Sequence, residues 1–382
     1  MLTEKLYYVD AYISEFDATV TSVESIADKY HVVLDRTVFF PEEGGQESDK
    51  GKINGARVID VREIDGKIIH VIDAPLDFGT TVHGQIDFEE RYEKMKCHTA
   101  EHILCGVMHR LFGAENIGFR LGADCVTLDV DVVLNREQLD SVEDIANDIV
   151  SKNVAVTTSF PSSQELSSLR FRSKLDLTDG VRIVDIGEYD SCACCAPHVA
   201  RTGEIGLIKM LDFEKHRGGT RIYMVAGKRA LTDYRARYSV SRRISELTST
   251  PQEDIADAVV QLLAERDSLA AQLKARGIRE AIREAERVST EEGNAVFFFD
   301  GFTIDELREF VNHAVEKING LLVALSGSEG DYKYVIGSRT VDLKSVTKDI
   351  NAALCGRGGG RSEMIQGTFS TTLDIIRAYF EK

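Results

Sequence analysis

A chain of 382 residues is too long for one ordinary hydrophobic core, and its 43% hydrophobic and 29% charged content is that of a globular protein of two to four domains. No apolar run approaches the ~18 residues that a membrane span requires, and the first residues lack the basic and apolar segments of a secretory leader. A formal charge of −17 argues against polyanion binding by the whole surface. Seven cysteines in this length are no disulfide framework, and Cys192, Cys194 and Cys195 crowd into four positions. That crowding favours metal ligation in a reducing compartment, so the reading predicts a cytoplasmic protein.

The first 90 residues read as β. Runs at Arg57–Glu63 and Lys67–Asp73 flank Asp65-Gly66, a strong hairpin signal, and a compact N-terminal β-barrel or curled sheet is predicted. Pro41-Glu-Glu-Gly-Gly-Gln46 interrupts this pattern as a glycine loop, either a plain tight turn or a site of close backbone approach. From Phe88 to Phe112 the period becomes helical, with Ile103, Leu104, Val107 and Leu111 on an apolar face. Strand-like and helical pieces then alternate to about Ala226, an α+β pattern. Residues 251–288 open with Pro251 and carry Ile255, Val259, Leu262, Leu269 and Leu273 at alternating spacings of four and three. This short heptad pattern suits a helical hairpin or a homodimer contact. The last 90 residues read as an α/β unit, with strands at Ala295–Phe299, Leu321–Leu325 and Tyr334–Ile336 and a glycine-rich loop, Gly356–Arg361. The predicted fold is α+β. Its parts are a β-barrel domain at 1–90, an α+β domain at 91–240, a helical, coiled-coil-like linker at 241–290 and a C-terminal α/β domain at 291–382.

Two ligand pairs share the spacing i, i+4: His98-Thr-Ala-Glu-His102 and Cys194-Cys-Ala-Pro-His198. On a helix, residues four apart share a face, so His98 and His102 are neighbours. Three imidazoles and a thiolate form a donor set that suits zinc. Cys192 and Cys195 are near enough to compete with Cys194. Four protein ligands suit a structural ion, whereas a catalytic ion keeps a position for water. The first motif is also HxxEH, with Glu101 as the general base of a zinc peptidase, but those enzymes need a third, usually acidic, ligand, and the partner segment offers Cys and His. Between Lys215 and Arg243 nine residues are basic and Asp233 is the only acid. Such a strip suits a phosphate backbone or a solvated helix face equally.

Taken together, these motifs resemble the alanyl-tRNA editing proteins of the long, free-standing type, related to the editing half of alanyl-tRNA synthetases. Phe39-Phe-Pro-Glu-Glu-Gly-Gly-Gln46 with Asp49 and Gly51 resembles that family's glycine loop. Ile86-Asp87, Arg91 and His98–His102 resemble its metal helix. Val181–Gly187, Cys194–His198 and Thr202-Gly-Glu-Ile-Gly206 follow in order, and Gly358-Gly-Gly-Arg361 with Gln366-Gly367 resembles the C-terminal glycine-rich domain. Glu43 departs from the pattern by replacing a glycine, and Cys195, Ala196 and Pro197 stand where the family has Gly-Gly-Thr. The resemblance implies an enzyme that hydrolyses tRNA(Ala) mischarged with serine or glycine, without aminoacylation. It implies zinc at His98, His102, Cys194 and His198, with the glycine loop at Gly44, Gly45 and Gln46 meeting the substrate. Thr127 and Asp129, on the strand-like segment after the metal helix, are candidates for sensing the serine hydroxyl. Arg217, Arg221, Arg357 and Arg361 are the candidates for holding the tRNA body.

Overall fold

The computed structural model describes residues 2–173 and 180–381 and divides into two compact units, 1–240 and 241–382. In the first unit, alternation of apolar and polar residues builds six antiparallel strands. They are β1 (Glu15–Ile26), β2 (Lys29–Leu34), β3 (Gly51–Ile53), β4 (Ala56–Ile64), β5 (Lys67–Ile72) and β6 (Thr81–Ile86). They close in the order β1-β2-β5-β4-β3-β6 around Val20, Val32, Ile53, Val61, Ile68 and Val82. Asp65 and Gly66, with φ of 51° and 72°, make the two-residue turn between β4 and β5.

Helix α1 (Phe88–Phe112) leaves the barrel and becomes the centre of a second core. A four-stranded sheet forms in the order β12 (Ile208–His216), β13 (Gly219–Ala226), β8 (Val126–Val130), β7 (Asn116–Leu121). It shares that core with α1 and α2 (Arg136–Ser151). A smaller sheet, β9 (Val156–Ser159), β10 (Ile183–Ile186) and β11 (Asp190–Ala193), carries the chain to the Cys-rich turn. Ile103, Leu104 and Val107 are fully buried, but Leu111 is 44% exposed, because the apolar face runs out one turn before the helix ends. Gly106 faces β11 so closely that a Cβ there would lie 2.4 Å from the carbonyl oxygen of Tyr189. Only glycine lets α1 approach the strand that carries Asp190.

Buried Arg91 ties the barrel to α1. Its Nε donates to both carboxylate oxygens of Asp49 at 2.8 and 2.9 Å, Nη2 donates to the Val38 carbonyl at 2.6 Å and also contacts Asp49, and Nη1 reaches the Ala11 carbonyl. Asp49 Oδ2 also accepts from the Phe40 amide, and Lys94 donates to the Ser48 carbonyl. Both ends of the glycine loop are thus fixed to the metal helix. The loop itself is a tight turn, with paired hydrogen bonds between the backbones of Glu43 and Gln46. A Cβ on Gly45 would lie 2.5 Å from the Phe119 carbonyl oxygen, so the turn sits hard against β7.

Helix α3 (Lys228–Thr248) spans the boundary between the units. The second unit holds the 33-residue helix α4 (Ile255–Arg287). It also has a five-stranded sheet in the order β14 (Ala295–Phe299), β15 (Leu322–Ser328), β16 (Asp331–Gly337), β18 (Met364–Phe369), β17 (Gly356–Gly360). Helices α5 (Ile304–Ala314), α6 (Leu343–Ala353) and α7 (Leu373–Phe380) complete it. The end of α4 packs through Ala281 and Ala285 on Leu307 and Phe310 of α5. The heptad residues do not: Leu269 and Leu273 are 56% and 72% exposed, so the seam is not consumed by intramolecular packing among the described residues. The segment 356–360 is an edge strand rather than a loop, paired with β18 from Gly356↔Phe369 to Gly360↔Ile365. No helix among the described residues is long and apolar enough to cross a membrane.

Removing one partner of a buried ion pair strands the other charge, at about 3–5 kcal/mol. Asp49→Ala should therefore lower the stability of the chain by about that amount in urea unfolding followed by circular dichroism. A change below about 1 kcal/mol would show that the pair is not the anchor. A second test concerns pH. His70 is wholly buried in the barrel, accepting from Thr37 Oγ1 and donating to the Val32 carbonyl. Burial pulls its pKa down to about 4, against an ordinary value near 6.5. Only the unfolded chain takes up this proton between those values, so stability is complete above pH 6.5 and falls by about 3 kcal/mol toward pH 4. His70→Gln should remove that part of the acid sensitivity.

Candidate metal centre and its cavity

Helical spacing puts His98 and His102 on one buried face of α1, with ring centroids 5.5 Å apart. His198 comes to 4.9 Å from the first ring and 4.6 Å from the second. Cys194 Sγ lies 3.6 Å from His98 Nε2 and 3.4 Å from His198 Nε2. The four ligand atoms lie within 4.8 Å of one another. A tetrahedral zinc with ordinary Zn–S and Zn–N bonds separates S from N by about 3.5 Å, so the donor set fits such an ion.

Each imidazole is held by its other nitrogen. His98 Nδ1 meets Gln46 Oε1 at 3.0 Å, His102 Nδ1 meets Asp190 Oδ2 at 3.1 Å, and His198 Nδ1 meets Thr99 Oγ1 at 3.0 Å. Thr99 donates its own proton to the Met95 carbonyl, so its oxygen accepts from His198. These bonds fix the tautomer with Nε2 free toward the centre. The Cys-rich turn is held by Arg182, whose Nη1 donates to the carbonyls of Cys194 and Ala196 at 2.9 Å each.

Electrostatics favour the ligand forms of His198 and Cys194, but not that of His102. Burial pulls the His198 pKa down to about 3, against the pull of Cys194, so the ring is neutral. Burial opposes ionisation of Cys194, but the imidazoles of His98 and His198 outweigh it and hold this thiol well below the usual range. At His102 burial favours the neutral ring, and the Asp190 hydrogen bond overcomes it and raises the pKa. The rival thiols differ. Burial pushes Cys192 up to about 11, and burial with the Cys194 and Glu43 charges pushes Cys195 higher still. Cys192 does group with His102 and Asp190. However, both oxygens of Asp190 are already committed, to Arg172 at 2.7 and 2.9 Å and to His102. That trio is therefore the outer support of the first site.

A cavity of about 770 Å³ opens on the centre, with His98, His102, Cys194, Gly44, Gly45 and Phe119 in its wall. Tyr8, with Phe160, Lys5 and Arg182 against its ring, also lines it, as do Arg172 and the hydrogen-bonded pair Glu101 and Asn116. Cys195 and Glu43, two departures from the family motif, meet in this wall. Gln46 is fully buried, and its side-chain carbonyl oxygen meets His98 Nδ1. Thr127 and Asp129 are not among the lining residues. Strand alternation turns them away from the face that carries Leu128, and Asp129 pairs with Arg221 at 2.7 and 2.8 Å. Arg217 is exposed at the tip of the β12–β13 hairpin. Elsewhere in the basic strip, Lys228 pairs with Glu89 and Arg237 with Asp233. In the second unit, Arg357 lies exposed on β17 and Arg361 just beyond it. Sequence reasoning missed Asp190, Thr99 and Arg182; only Thr99, adjacent to His98, carried any signal.

Residues 181–223, which include Cys194 and His198, match the family described as the threonyl and alanyl tRNA synthetase second additional domain. Residues 4–90, the barrel, match the family of class II (A) tRNA synthetases. The chain is 37% identical to the alanyl-tRNA editing protein AlaX-M of Methanosarcina barkeri, over 58% of this chain and 98% of that protein. It is 26% identical to AlaX-L of Pyrococcus horikoshii over the full length of both. It is also 32% identical to the alanine–tRNA ligase of Thermococcus kodakarensis, over 99% of this chain but only 43% of the ligase, so the chain spans less than half of that relative. The barrel and the Cys-rich turn thus lie in segments that match tRNA synthetase families. The chain belongs to the family of alanyl-tRNA editing proteins.

If Asp190 acts by orienting His102, Asp190→Asn should weaken metal affinity about 10- to 100-fold in competition with a chromophoric chelator. Cys192→Ser should leave affinity unchanged; an equal loss in that variant would make Cys192 a ligand.

Proposed function

We propose that this chain is a zinc-dependent aminoacyl-tRNA hydrolase that removes serine, and glycine, from mischarged tRNA(Ala) without charging tRNA itself. The observation that carries the reading is the convergence of His98, His102, Cys194 and His198 in the wall of an open cavity. A bound zinc would supply Lewis-acid polarisation of the ester carbonyl. The chain's own residues do the rest. Gln46, Asp190 and Thr99 keep three imidazoles in the right tautomer. Gly44 and Gly45 leave the wall beside the centre without side chains, so the acyl ester can approach the backbone. The cationic and aromatic side formed by Lys5, Arg182, Tyr8 and Phe160 suits the terminal nucleotide, base on ring and phosphate near charge.

On this reading the chain works in four parts: barrel at 1–90, editing domain at 91–240, helical linker at 241–290 and a C-terminal RNA-binding domain at 291–382. Arg217, Arg357 and Arg361, exposed and basic, would hold the tRNA body, with Arg221 released from Asp129 on binding. The exposed leucines of α4 would form a homodimer seam. Seven free cysteines suit a cytoplasmic site of action. Thr127 and Asp129 would act on the hydroxyl only indirectly, through Gly118 and the β7–β8 pair.

A second reading has one observation in its favour: four protein ligands complete a tetrahedron, so the ion would be structural and the protein a tRNA-binding module. A deacylation assay with seryl- and glycyl-tRNA(Ala) separates the two. Hydrolysis should occur, and should fall at least ~10²-fold on chelation or in His98→Ala plus His102→Ala while tRNA binding persists. Amino acid release that survives those changes removes the metal from the mechanism. Retained tRNA binding with no hydrolysis by the metal-loaded wild type favours the binding module.

A further inference from the structure

One carboxylate beside the ligand set has no task in the scheme above. Glu101 lies three residues after His98 on α1, its side chain only 4% exposed, and it lines the cavity. Its Oε1 is held by Asn116 Nδ2 and by the thiol of Cys105 at 3.0 Å, so the group is pinned in one orientation. Its Oε2 has no hydrogen bond among the described residues. Among the described residues the one cation-forming atom within 4.0 Å of it is His102 Nε2, the ligand nitrogen, at 3.9 Å. Glu101 nevertheless falls outside the group of atoms that converge on a metal. The other acids in the cavity wall are spoken for: Glu63 pairs with Lys5, Glu115 with His109, and Glu43 sits against Cys195.

Among the described residues this carboxylate is held by an amide and a thiol and pairs with no Lys or Arg, and burying it so is costly unless a cation completes it. The space beside it admits a small group lying next to a centre whose dication and single thiolate leave net positive charge. An aminoacyl ester brings such a group. Its α-ammonium is one carbon from the carbonyl, and beside a cationic centre it needs a local negative charge. We propose that Glu101 Oε2 receives the α-ammonium of the aminoacyl ester, making Glu101 the residue that selects free aminoacyl groups and sets their orientation. Asn116 and Cys105 are positioning residues that hold this carboxylate. The inference rests on the deacylase reading for the identity of the ester.

The test uses the full zinc-loaded chain and two non-hydrolysable probes, 3′-seryl-amido-adenosine and its deaminated counterpart, in which hydroxyl replaces the ammonium. Isothermal titration should show wild type binding the ammonium form about 10- to 100-fold more tightly, the strength of one charge-assisted hydrogen bond. Glu101→Gln should reduce that preference to about threefold or less by weakening only the ammonium form. The unchanged affinity for the hydroxyl form and unchanged zinc content report an intact fold. The proposal is overturned if wild type shows no preference, if the variant keeps it, if both probes weaken together, or if zinc is lost. Seryl-tRNA(Ala) deacylation is measured in parallel. Absent hydrolysis with an intact ammonium preference would sink the deacylase reading and leave the binding role of Glu101 standing.

Discussion

Three imidazoles aim the same nitrogen at one thiolate because each is tied, through its other nitrogen, to a different fixed acceptor. Gln46 reaches His98 from the turn beside the barrel, Asp190 reaches His102 from β11, and Thr99 reaches His198 from α1 itself. Much of the first unit serves to bring those three acceptors together. The Arg91–Asp49 pair hangs the glycine turn from α1, and Gly106 lets β11 approach the same helix. Rings left to rotate would lose the shared focus, and with it affinity for an ion.

Charge is distributed with the same economy. The centre is ringed by groups whose ionisation is set by neighbours: Cys194 ionised among imidazoles, His198 kept neutral by burial, Asp190 shared between His102 and Arg172. Away from it, the basic strip is less available than its composition suggests. Arg221, Lys228 and Arg237 are paired with acids, two of them from distant segments, so a polyanion would have to compete for those cations. The overall charge of −17 and this pairing act in one direction, against polyanion binding by the surface as a whole.

The long helix of the second unit shows how local pattern and tertiary use can part. Its heptad positions promise a packed seam, yet Leu269 and Leu273 stay exposed, and the helix is fixed by the small residues Ala281 and Ala285 near its end. The glycine-rich stretch does the reverse. Its composition suggests a loop, but β18 supplies a backbone ladder and makes it the edge of a sheet. Hydrogen-bonded pairing with a partner outweighs the weak strand preference of glycine.

What the sequence determined by itself was whatever depends on residues close in the chain. The helical period from Phe88 to Phe112, the i, i+4 faces at His98–His102 and Cys194–His198, and the Asp65-Gly66 turn are all local consequences of backbone geometry. The choice of Cys194 over Cys192 and Cys195, the assignment of Gln46 to His98, the support from Asp190 and the diversion of Thr127 and Asp129 from the cavity belong to the tertiary structure. Each depends on which way a side chain points when segments some 50 to 100 residues apart are brought into contact. Periodicity says which residues share a face, but not what that face will meet.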